Sequence, residues 1–166
     1  MDKVCILSDT HGYLDPRIES YLEECGEIWH GGDFGGLEVA DQLRSWRPLR
    51  GVYGNIDGPD VRREFPEVLR FVYRGVKILM VHIGGKPGKY PAPVRKLLLE
   101  DPPDLFICGH SHILRAMPDA KFKTFHLNPG ACGQQGFHQV KTIVRLRFSE
   151  SRMSRLEVIE LGARGS

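Results

Sequence analysis

The chain has 166 residues, of which 41% are hydrophobic and 27% charged, so it can form a folded core and is not disordered by composition. Its 23 basic and 21 acidic residues give a net charge of +2, which is too small to make nucleic acid or an anionic membrane an obligatory partner. The 19 glycines and 11 prolines predict many tight turns and argue against a helical bundle.

Neither a targeting segment nor a disulfide framework is indicated. The first apolar run ends at Ser8 and Asp9, and it is too short for a signal-peptide core or a membrane span. The cysteines form no C-x-x-C pair and are widely spread, which favours buried free thiols. We therefore expect a cytoplasmic protein. The four cysteines are Cys5, Cys25, Cys108 and Cys132.

Strand-like and helix-like runs alternate over the first two thirds of the chain. This order is typical of a layered α/β domain, and Arg74-Gly75 suits a tight hairpin turn. In chain order, the predicted elements are a strand at Lys3–Leu7, a helix at Arg17–Cys25, a strand at Glu27–His30, a helix at Leu37–Trp46, strands at Leu49–Tyr53, Val68–Tyr73 and Lys77–Val81, a helix at Pro91–Glu100 and a strand at Leu105–Cys108.

The last third of the chain reads as antiparallel strands. Short strands are predicted at Leu114–Met117 and Lys123–Leu127, and a longer one at Thr142–Phe148 pairs with Arg155–Leu161. Apolar and basic residues alternate along Thr142–Phe148, so we expect this strand to be half-exposed. No linker or repeat separates the two parts. We predict one α/β domain over residues 1–166, a four-layer αββα sandwich of two mixed β-sheets flanked by helices.

Five predicted strands are followed directly by polar residues of the kind that bind metals. Ligands of open α/β sheets collect beyond the carboxyl ends of the strands, so we expect these five loops to form one site. Each motif alone also fits an ordinary turn or a capping role; their combination favours a metal centre. The loops are Ser8-Asp9-Thr10-His11-Gly12, His30-Gly31-Gly32-Asp33, Gly54-Asn55-Ile56-Asp57-Gly58, His82-Ile83-Gly84-Gly85 and Gly109-His110-Ser111-His112.

Imidazole and carboxylate ligands without nearby thiolates indicate a catalytic divalent-metal site rather than a structural zinc site. A centre of two ions about 3.5–4 Å apart needs a carboxylate that contacts both. We expect two divalent ions, with Mn first and Ni, Fe, Zn or Mg as alternatives.

The set of motifs resembles the calcineurin-like metallophosphoesterase superfamily. The matching residues are Asp9-x-His11, Gly31-Gly32-Asp33, Gly54-Asn55, His82 and Gly109-His110-x-His112. The short length and Asn128-Pro129-Gly130 resemble the small branch that includes bacterial phosphodiesterases and the retromer scaffold subunit. The resemblance implies a two-sheet sandwich and a hydroxide that bridges two metal ions and attacks phosphorus.

The resemblance also implies roles for individual residues. Asp33 would bridge the ions, and Asp57 would orient a metal ligand. One ion would be held by Asp9, His11 and His112, and the other by Asn55, His82 and His110. The residues assigned to catalysis are Asp33, Asn55, Asp57 and His110.

Two positions depart from the pattern of many superfamily members. Ile56 stands where many relatives carry a histidine that assists the leaving group, and loss of a general acid typically costs about 10²–10⁴-fold in rate. Ile83-Gly84 follows His82 where many relatives carry Gly-His. The first departure predicts slow turnover, or a substrate whose leaving group departs unaided; the second leaves substrate choice more open.

Residues outside the motifs are assigned more simply. Lys86 and Lys89 in the loop after His82, and Arg62 beyond Asp57, are candidates for substrate binding, although a solvated loop is the simpler explanation for the lysines. Three further histidines are expected to be structural: His30, His126 and His138.

Together these observations predict a metal-dependent phosphoesterase, more specifically a phosphodiesterase acting on a small molecule. The alternative is a non-catalytic, metal-binding scaffold for protein partners. A dedicated nuclease is disfavoured by the small net charge, whereas diesters of small nucleotides stay open. Exposed strands of the C-terminal hairpin would also allow a homo-oligomer.

Overall fold

Short strands with alternating side chains build two sheets, as seen in a computed structural model that describes residues 2–166. The described strands are β1 (Lys3–Leu7), β2 (Cys25–His30), β3 (Leu49–Gly51), β4 (Val68–Tyr73), β5 (Val76–Val81), β6 (Leu105–Ile107), β7 (Arg115–Asp119), β8 (Thr124–Asn128), β9 (Val140–Ser149) and β10 (Arg152–Ala163). The helices are a 3₁₀ helix (Pro16–Leu22), α1 (Leu37–Trp46), α2 (Pro59–Glu64) and α3 (Ala92–Glu100).

Both sheets are mixed and have five strands each. The first has the order β10-β9-β1-β2-β3, with β1, β2 and β3 parallel and β9 antiparallel to β1. The second has the order β4-β5-β6-β8-β7, with β5, β6 and β8 parallel and antiparallel strands at its two edges. The predicted α/β fold with two mixed sheets and flanking helices is confirmed.

The alternation of side chains explains the layers. In β1, Val4 and Ile6 contribute to the core between the sheets, whereas Cys5 and Leu7 lie in an outer core with the 3₁₀ helix, α1 and α2. Residues of β5 and β6 alternate in the same way between the central core and a second outer core beneath α3. Because successive side chains of a strand point to opposite faces, short, wholly apolar strands are the pattern expected for sheets covered on both sides.

Most predicted boundaries differ from the structure by one to three residues, and one helix was missed. The helix predicted at Arg17–Cys25 is a 3₁₀ helix that ends at Leu22, and Cys25 belongs to β2 because it pairs with Lys3 in the parallel sheet. The strand predicted at Leu49–Tyr53 ends at Gly51. Helix α2 was not predicted, although Pro59 at its first turn is a common helix start.

The expectation of a half-exposed strand at Thr142–Phe148 is wrong. Strand β9 lies between β1 and β10, and its two faces contact different cores: Val144 the central one and Ile143 an outer one. Arg145 is only partly exposed, because its guanidinium donates to the carbonyl of Tyr21 (3.3 Å) beneath the 3₁₀ helix. The basic residues that suggested an open face, Arg145 and Arg147, are both only partly exposed. Separately, no helix within residues 2–166 has the length and apolar character needed to cross a membrane.

Candidate metal centre

Backbone hydrogen bonds bring the strand-end loops together at one edge of the two sheets. The backbone N–H of Asp9 donates to the carbonyl of Gly32 (3.0 Å), and that of His11 donates to the carbonyl of Asp33 (3.0 Å). The backbone N–H of His110, from the second sheet, donates to the carboxylate of Asp9 (3.2 Å). The loops after β1, β2 and β6 therefore converge, as the sequence pattern predicts for the carboxyl ends of these strands.

Two clusters of potential metal ligands lie in this convergence. Each contains three residues whose donor atoms all lie within 4.8 Å of one another. The first cluster contains the residues that the family resemblance assigns to one ion. The second contains the residue expected to bridge and two of the residues that the resemblance assigns to the other ion. The clusters are Asp9, His11 and His112, and Asp33, His82 and His110.

The carboxylate of Asp33 connects the two clusters. Its Oδ2 atom lies 3.3 Å from Nε2 of His11 and 3.1 Å from Nε2 of His82. In the first cluster, Oδ1 of Asp9 lies 3.2 Å from Nε2 of His112. One oxygen of Asp33 thus lies next to a ring nitrogen from each cluster, which is the position that a bridging carboxylate requires.

Buried polar atoms at this place have donor and acceptor capacity left over. Oδ1 of Asp9, Nε2 of His11 and Nε2 of His82 are buried and make no hydrogen bond within residues 2–166. Buried polar atoms are normally paired, and each exception calls for an explanation. Three such atoms on metal-type ligands in one place fit a site for divalent ions.

The backbone of the site is left-handed at five candidate ligands. Positive φ is uncommon for residues other than glycine and costs of order 1–3 kcal/mol where it is strained. The surrounding fold must hold these residues in place, and such conformations cluster at functional sites. They are Asp9 (φ 58°), His11 (φ 47°), Asp33 (φ 60°), His110 (φ 70°) and His112 (φ 62°).

Mutual electrostatics keep the carboxylates charged. Burial alone would raise the pKa of Asp33, but contacts with His11 and His82 outweigh it and hold that pKa well below its usual range. The same balance lowers the pKa of Asp9. Conversely, the carboxylates of Asp33 and then Asp9 raise the pKa of His11 to about 9. Asp9 and Asp33 are therefore held in the charged form that binds cations.

Asn55 and His110 meet at the outer side of the centre. Oδ1 of Asn55 lies 3.0 Å from Nδ1 of His110, and both residues are exposed. The neighbouring Gly54 allows this loop to approach, since a Cβ at residue 54 would lie only 2.0 Å from Oδ1 of Asp33. The Gly-Asn pair therefore has a steric reason: the loop after β3 must pass directly against the Asp33 carboxylate.

Asp57 is a positioning residue for two loops. One oxygen of its carboxylate accepts the backbone N–H groups of Gly54 (2.8 Å) and Phe34 (3.2 Å), and the other accepts that of Gly35 (3.0 Å). Both oxygens are thus used on backbone amides. The residue joins the loop that carries Asn55 to the loop that carries Asp33.

The three substrate-binding candidates lie in different places. Arg62 lines a cavity of about 400 Å³ beside Asn55 and His82. Lys86 and Lys89 are exposed in the loop after β5, outside the lining of that cavity.

The remaining histidines are held by specific contacts. His30 is fully buried, stacks on Phe34 with ring centroids 3.6 Å apart, and burial lowers its pKa to about 3. His126 is also fully buried, and burial lowers its pKa to about 4.

His138 lies against the centre, a position that the sequence did not indicate. Its ring is 5.3 Å from that of His112, its Nε2 lies 2.8 Å from the carbonyl of Gly133, and its buried Nδ1 has no partner within residues 2–166. The signal was weak because His138 stands alone, 26 positions beyond His112 in the chain.

The order, convergence and clustering of these motifs agree with a comparison to known protein families. The model of the calcineurin-like phosphoesterase superfamily domain matches residues 2–151. The chain belongs to this superfamily. A comparison with curated proteins finds no significant match.

Several solved structures share the fold over nearly the whole chain. A predicted phosphoesterase from Streptococcus pneumoniae is 23% identical and covers 99% of this chain and 90% of its own, with a TM-score of 0.70. An archaeal phosphodiesterase is 22% identical, with 95% and 99% covered and a TM-score of 0.71. Vps29 from Entamoeba histolytica, complexed with Zn²⁺, is 18% identical, with 95% and 98% covered and a TM-score of 0.70. At these identities the likeness shows the fold.

Proposed function

We propose that the protein is a metal-dependent phosphodiesterase with a centre for two divalent ions. The observation that carries the proposal is the position of Asp33, whose Oδ2 lies within 3.3 Å of His11 and within 3.1 Å of His82. A carboxylate shared by two clusters of imidazole and carboxylate ligands is the arrangement of two-metal hydrolases. The family model and the similarity to an archaeal phosphodiesterase support the same chemistry.

The chain supplies the ligands, and their arrangement defines the task of each. The histidines of the two clusters, His11, His82, His110 and His112, would bind as neutral rings. Occupancy therefore requires His11, whose pKa is raised to about 9, to release a proton. Asp33 and Asp9 keep their charge because their pKa values are low. Asn55 would add a neutral oxygen. The chemistry supplied by two divalent ions at such a site is activation of water for attack on phosphorus and neutralisation of charge on the phosphoryl oxygens.

The preference for diesters rests on the resemblance to the small phosphodiesterase branch and on Ile56 in the loop after β3. Ile56 is exposed at the position next to Asn55 and has no proton to give. A reaction at this site therefore favours a leaving group that departs without protein assistance. Imidazole and carboxylate ligands accept several divalent ions. We take Mn²⁺ as the first ion to test and Ni²⁺, Zn²⁺ and Fe²⁺ as the next ones.

A cytoplasmic location and a small-molecule substrate are part of the proposal. All four cysteines are free and buried, which is usual for proteins of reducing compartments. The net charge of +2 supports a small substrate over a nucleic acid.

The direct test is hydrolysis of bis-p-nitrophenyl phosphate by metal-stripped protein before and after addition of Mn²⁺. We expect turnover only with the metal, and we expect Asp33→Asn to lower kcat at least about 100-fold because a bridging ligand loses its charge. Metal content after dialysis should fall in parallel. The matched control is Asp41→Asn on α1, an exposed residue outside the centre, which should behave like the unmodified protein.

Unchanged turnover in Asp33→Asn would contradict the bridging assignment. If the unmodified protein shows no turnover with Mn²⁺, Ni²⁺, Zn²⁺ or Fe²⁺, the enzymatic function itself is contradicted.

A second candidate function, a scaffold for a protein partner, is favoured by exposed apolar residues around the centre. Each lies within two positions of a candidate ligand or of His138 in the chain, and exposed apolar residues that gather around one place often mark interaction sites. A scaffold would show no turnover with any ion, and its binding of a partner would persist after metal removal. The residues are Ile56, Ile83, Ile113, Leu114 and Phe137.

A further inference from the structure

The cavity beside the metal centre is continuous with the candidate ligands. It has a volume of about 400 Å³ and is lined by Gly54, Asn55 and His82 on the side of the centre. Small-molecule sites in proteins commonly have volumes of about 300–1,000 Å³. A phosphate held at the centre would therefore have one of its ester groups next to this cavity.

The far walls of the cavity are apolar. They are formed by the outer face of β4 and β5 and by α3, with Val68, Val81, Val94 and Leu97 among the lining residues. Val81 and Val94 are almost fully buried, whereas Val68 is 37% exposed at the rim. Burying an apolar or aromatic group against such walls is favourable, whereas a charged group would find no polar partner there.

The rim carries a donor and an acceptor that are held in place. The guanidinium of Arg62 lies 4.4 Å from the ring centroid of Tyr53, and its Nε donates to the carbonyl of Asp57 (2.7 Å). The hydroxyl of Tyr53 donates to the carboxylate of Glu67 (3.3 Å). Arg62, Tyr53 and Glu67 thus form a polar edge around an apolar interior.

We propose that this cavity binds the retained ester group of the substrate, and that this group is a planar heteroaromatic one. The inference rests on the proposed phosphodiesterase function. A flat ring fits the apolar walls, and donors and acceptors at its edge match Glu67 and Arg62, respectively. Contact with these apolar walls adds binding free energy for the retained group. The oxygen of the leaving group must take a proton, so it is better placed on the side that faces water. The reaction consumes one water, breaks the P–O bond to the leaving alcohol, and leaves the heteroaromatic group on the monoester product.

Two diesters with the same leaving group test this inference. Thymidine 5′-(p-nitrophenyl phosphate) carries a heteroaromatic retained group, and methyl p-nitrophenyl phosphate carries none. With Mn²⁺-loaded protein we expect kcat/KM to be at least about tenfold higher for the thymidine ester, the range that contacts in a pocket can supply. Equal kcat/KM values for the two esters would overturn the inference.

Filling the cavity provides the second arm. Val68→Trp places a large side chain at the rim of the cavity on an edge strand, which tolerates aromatic residues. Val72→Trp is the matched control, since Val72 is exposed on the same face of β4 and lies outside the cavity. We expect Val68→Trp to lower kcat/KM for the thymidine ester at least about tenfold more than kcat/KM for the methyl ester, so that the preference is lost, and Val72→Trp to leave both values unchanged. A parallel loss for both esters in Val68→Trp would overturn the inference.

Binding separates this inference from the proposed function. If neither diester is hydrolysed, the phosphodiesterase function fails. The cavity is then judged by calorimetric titration of Mn²⁺-loaded protein with thymidine 5′-monophosphate and with methyl phosphate. Tighter binding of the nucleotide that is lost in Val68→Trp and kept in Val72→Trp supports the cavity site, and equal binding of the two phosphates contradicts it.

Discussion

At the scale of single residues, the centre is defined as much by backbone conformation as by side-chain chemistry. Five candidate ligands have left-handed φ values between 47° and 70°. An L-residue gains nothing from this conformation, which costs roughly 1–2 kcal/mol relative to the right-handed one. The fold therefore holds the ligands in place at the expense of stability, as is common at functional sites.

A substitution pair at His112 (φ 62°) measures this strain. Glycine tolerates positive φ and alanine does not, so we expect His112→Gly to be more stable than His112→Ala by about 1 kcal/mol. Chemical denaturation of metal-stripped protein gives the difference. The same pair at Ser111, which does not have positive φ, should show the opposite order. Equal stability of the two His112 variants would mean that the backbone there is unstrained.

The sequence predicted which residues form the candidate centre, because each of them lies in a short motif directly after a strand. The structure brings all seven assigned ligands to one place. Left-handed backbone and the contact of His138 with His112 were not readable. They depend on how chain segments far apart in sequence approach each other, which no local pattern encodes.

At the scale of elements, the loops after β2 and β3 act as one unit through Asp57. Its carboxylate accepts three backbone N–H groups, from Phe34, Gly35 and Gly54. In Asp57→Asn, the NH2 group of the amide would face at least one backbone N–H, so at least one of the three donors loses its acceptor. We expect a loss of about 1–3 kcal/mol in the free energy of unfolding and a metal affinity that is about 10–100-fold lower.

Denaturation and Mn²⁺ titration measure the two effects. Asp60→Asn, an exposed change three residues later, should stay within about 0.5 kcal/mol of the unmodified protein. If Asp57→Asn binds Mn²⁺ as tightly as the unmodified protein, the carboxylate of Asp57 is not needed to position the two loops for metal binding.

The predictability of elements depends on how strongly their pattern repeats. Apolar strands such as β1 and β5 were predicted to within one residue because nearly every position is apolar. Helix α2 spans only Pro59–Glu64 and buries Val61, so its sequence carries no helical period. The exposure of strand β9 was predicted wrongly for a related reason. Arg145 and Arg147 alternate with apolar residues, which is the pattern of a strand with one open face, but neighbouring elements partly cover that face.

At the scale of the whole molecule, a buried polar network lies next to the strand that leads into the candidate metal centre. His126 on β8 lies between Tyr90 and Phe106, with its Nε2 3.8 Å from Sγ of Cys108. Tyr90 in turn donates to Asp119 (2.8 Å). Cys108 directly precedes the Gly109-His110 loop, so the network supports the strand that carries this loop.

Burial of His126 makes the stability of the whole fold depend on pH. Its pKa is lowered to about 4 in the folded protein, whereas the unfolded chain titrates near about 6.5. Between about pH 6.5 and pH 4, His126 is mostly protonated in the unfolded chain and mostly neutral in the folded protein. This stability is fully present above about pH 6.5 and is lost as the pH falls toward 4, by about 1.4 kcal/mol per unit. His126→Phe removes this titration and keeps an aromatic ring among Tyr90 and Phe106.

We therefore expect the unmodified protein to lose about 2 kcal/mol more stability than His126→Phe between pH 7 and pH 5. Chemical denaturation at both pH values, with a chelator present, isolates the effect, because all other titrating groups are common to the two proteins. His126→Gln, which is polar but does not titrate in this range, should give the same flattened profile as the phenylalanine variant. Identical pH dependence in all three proteins would show that His126 is protonated as readily in the folded state as in the unfolded one, and the network around Tyr90 would then have to accommodate a charge.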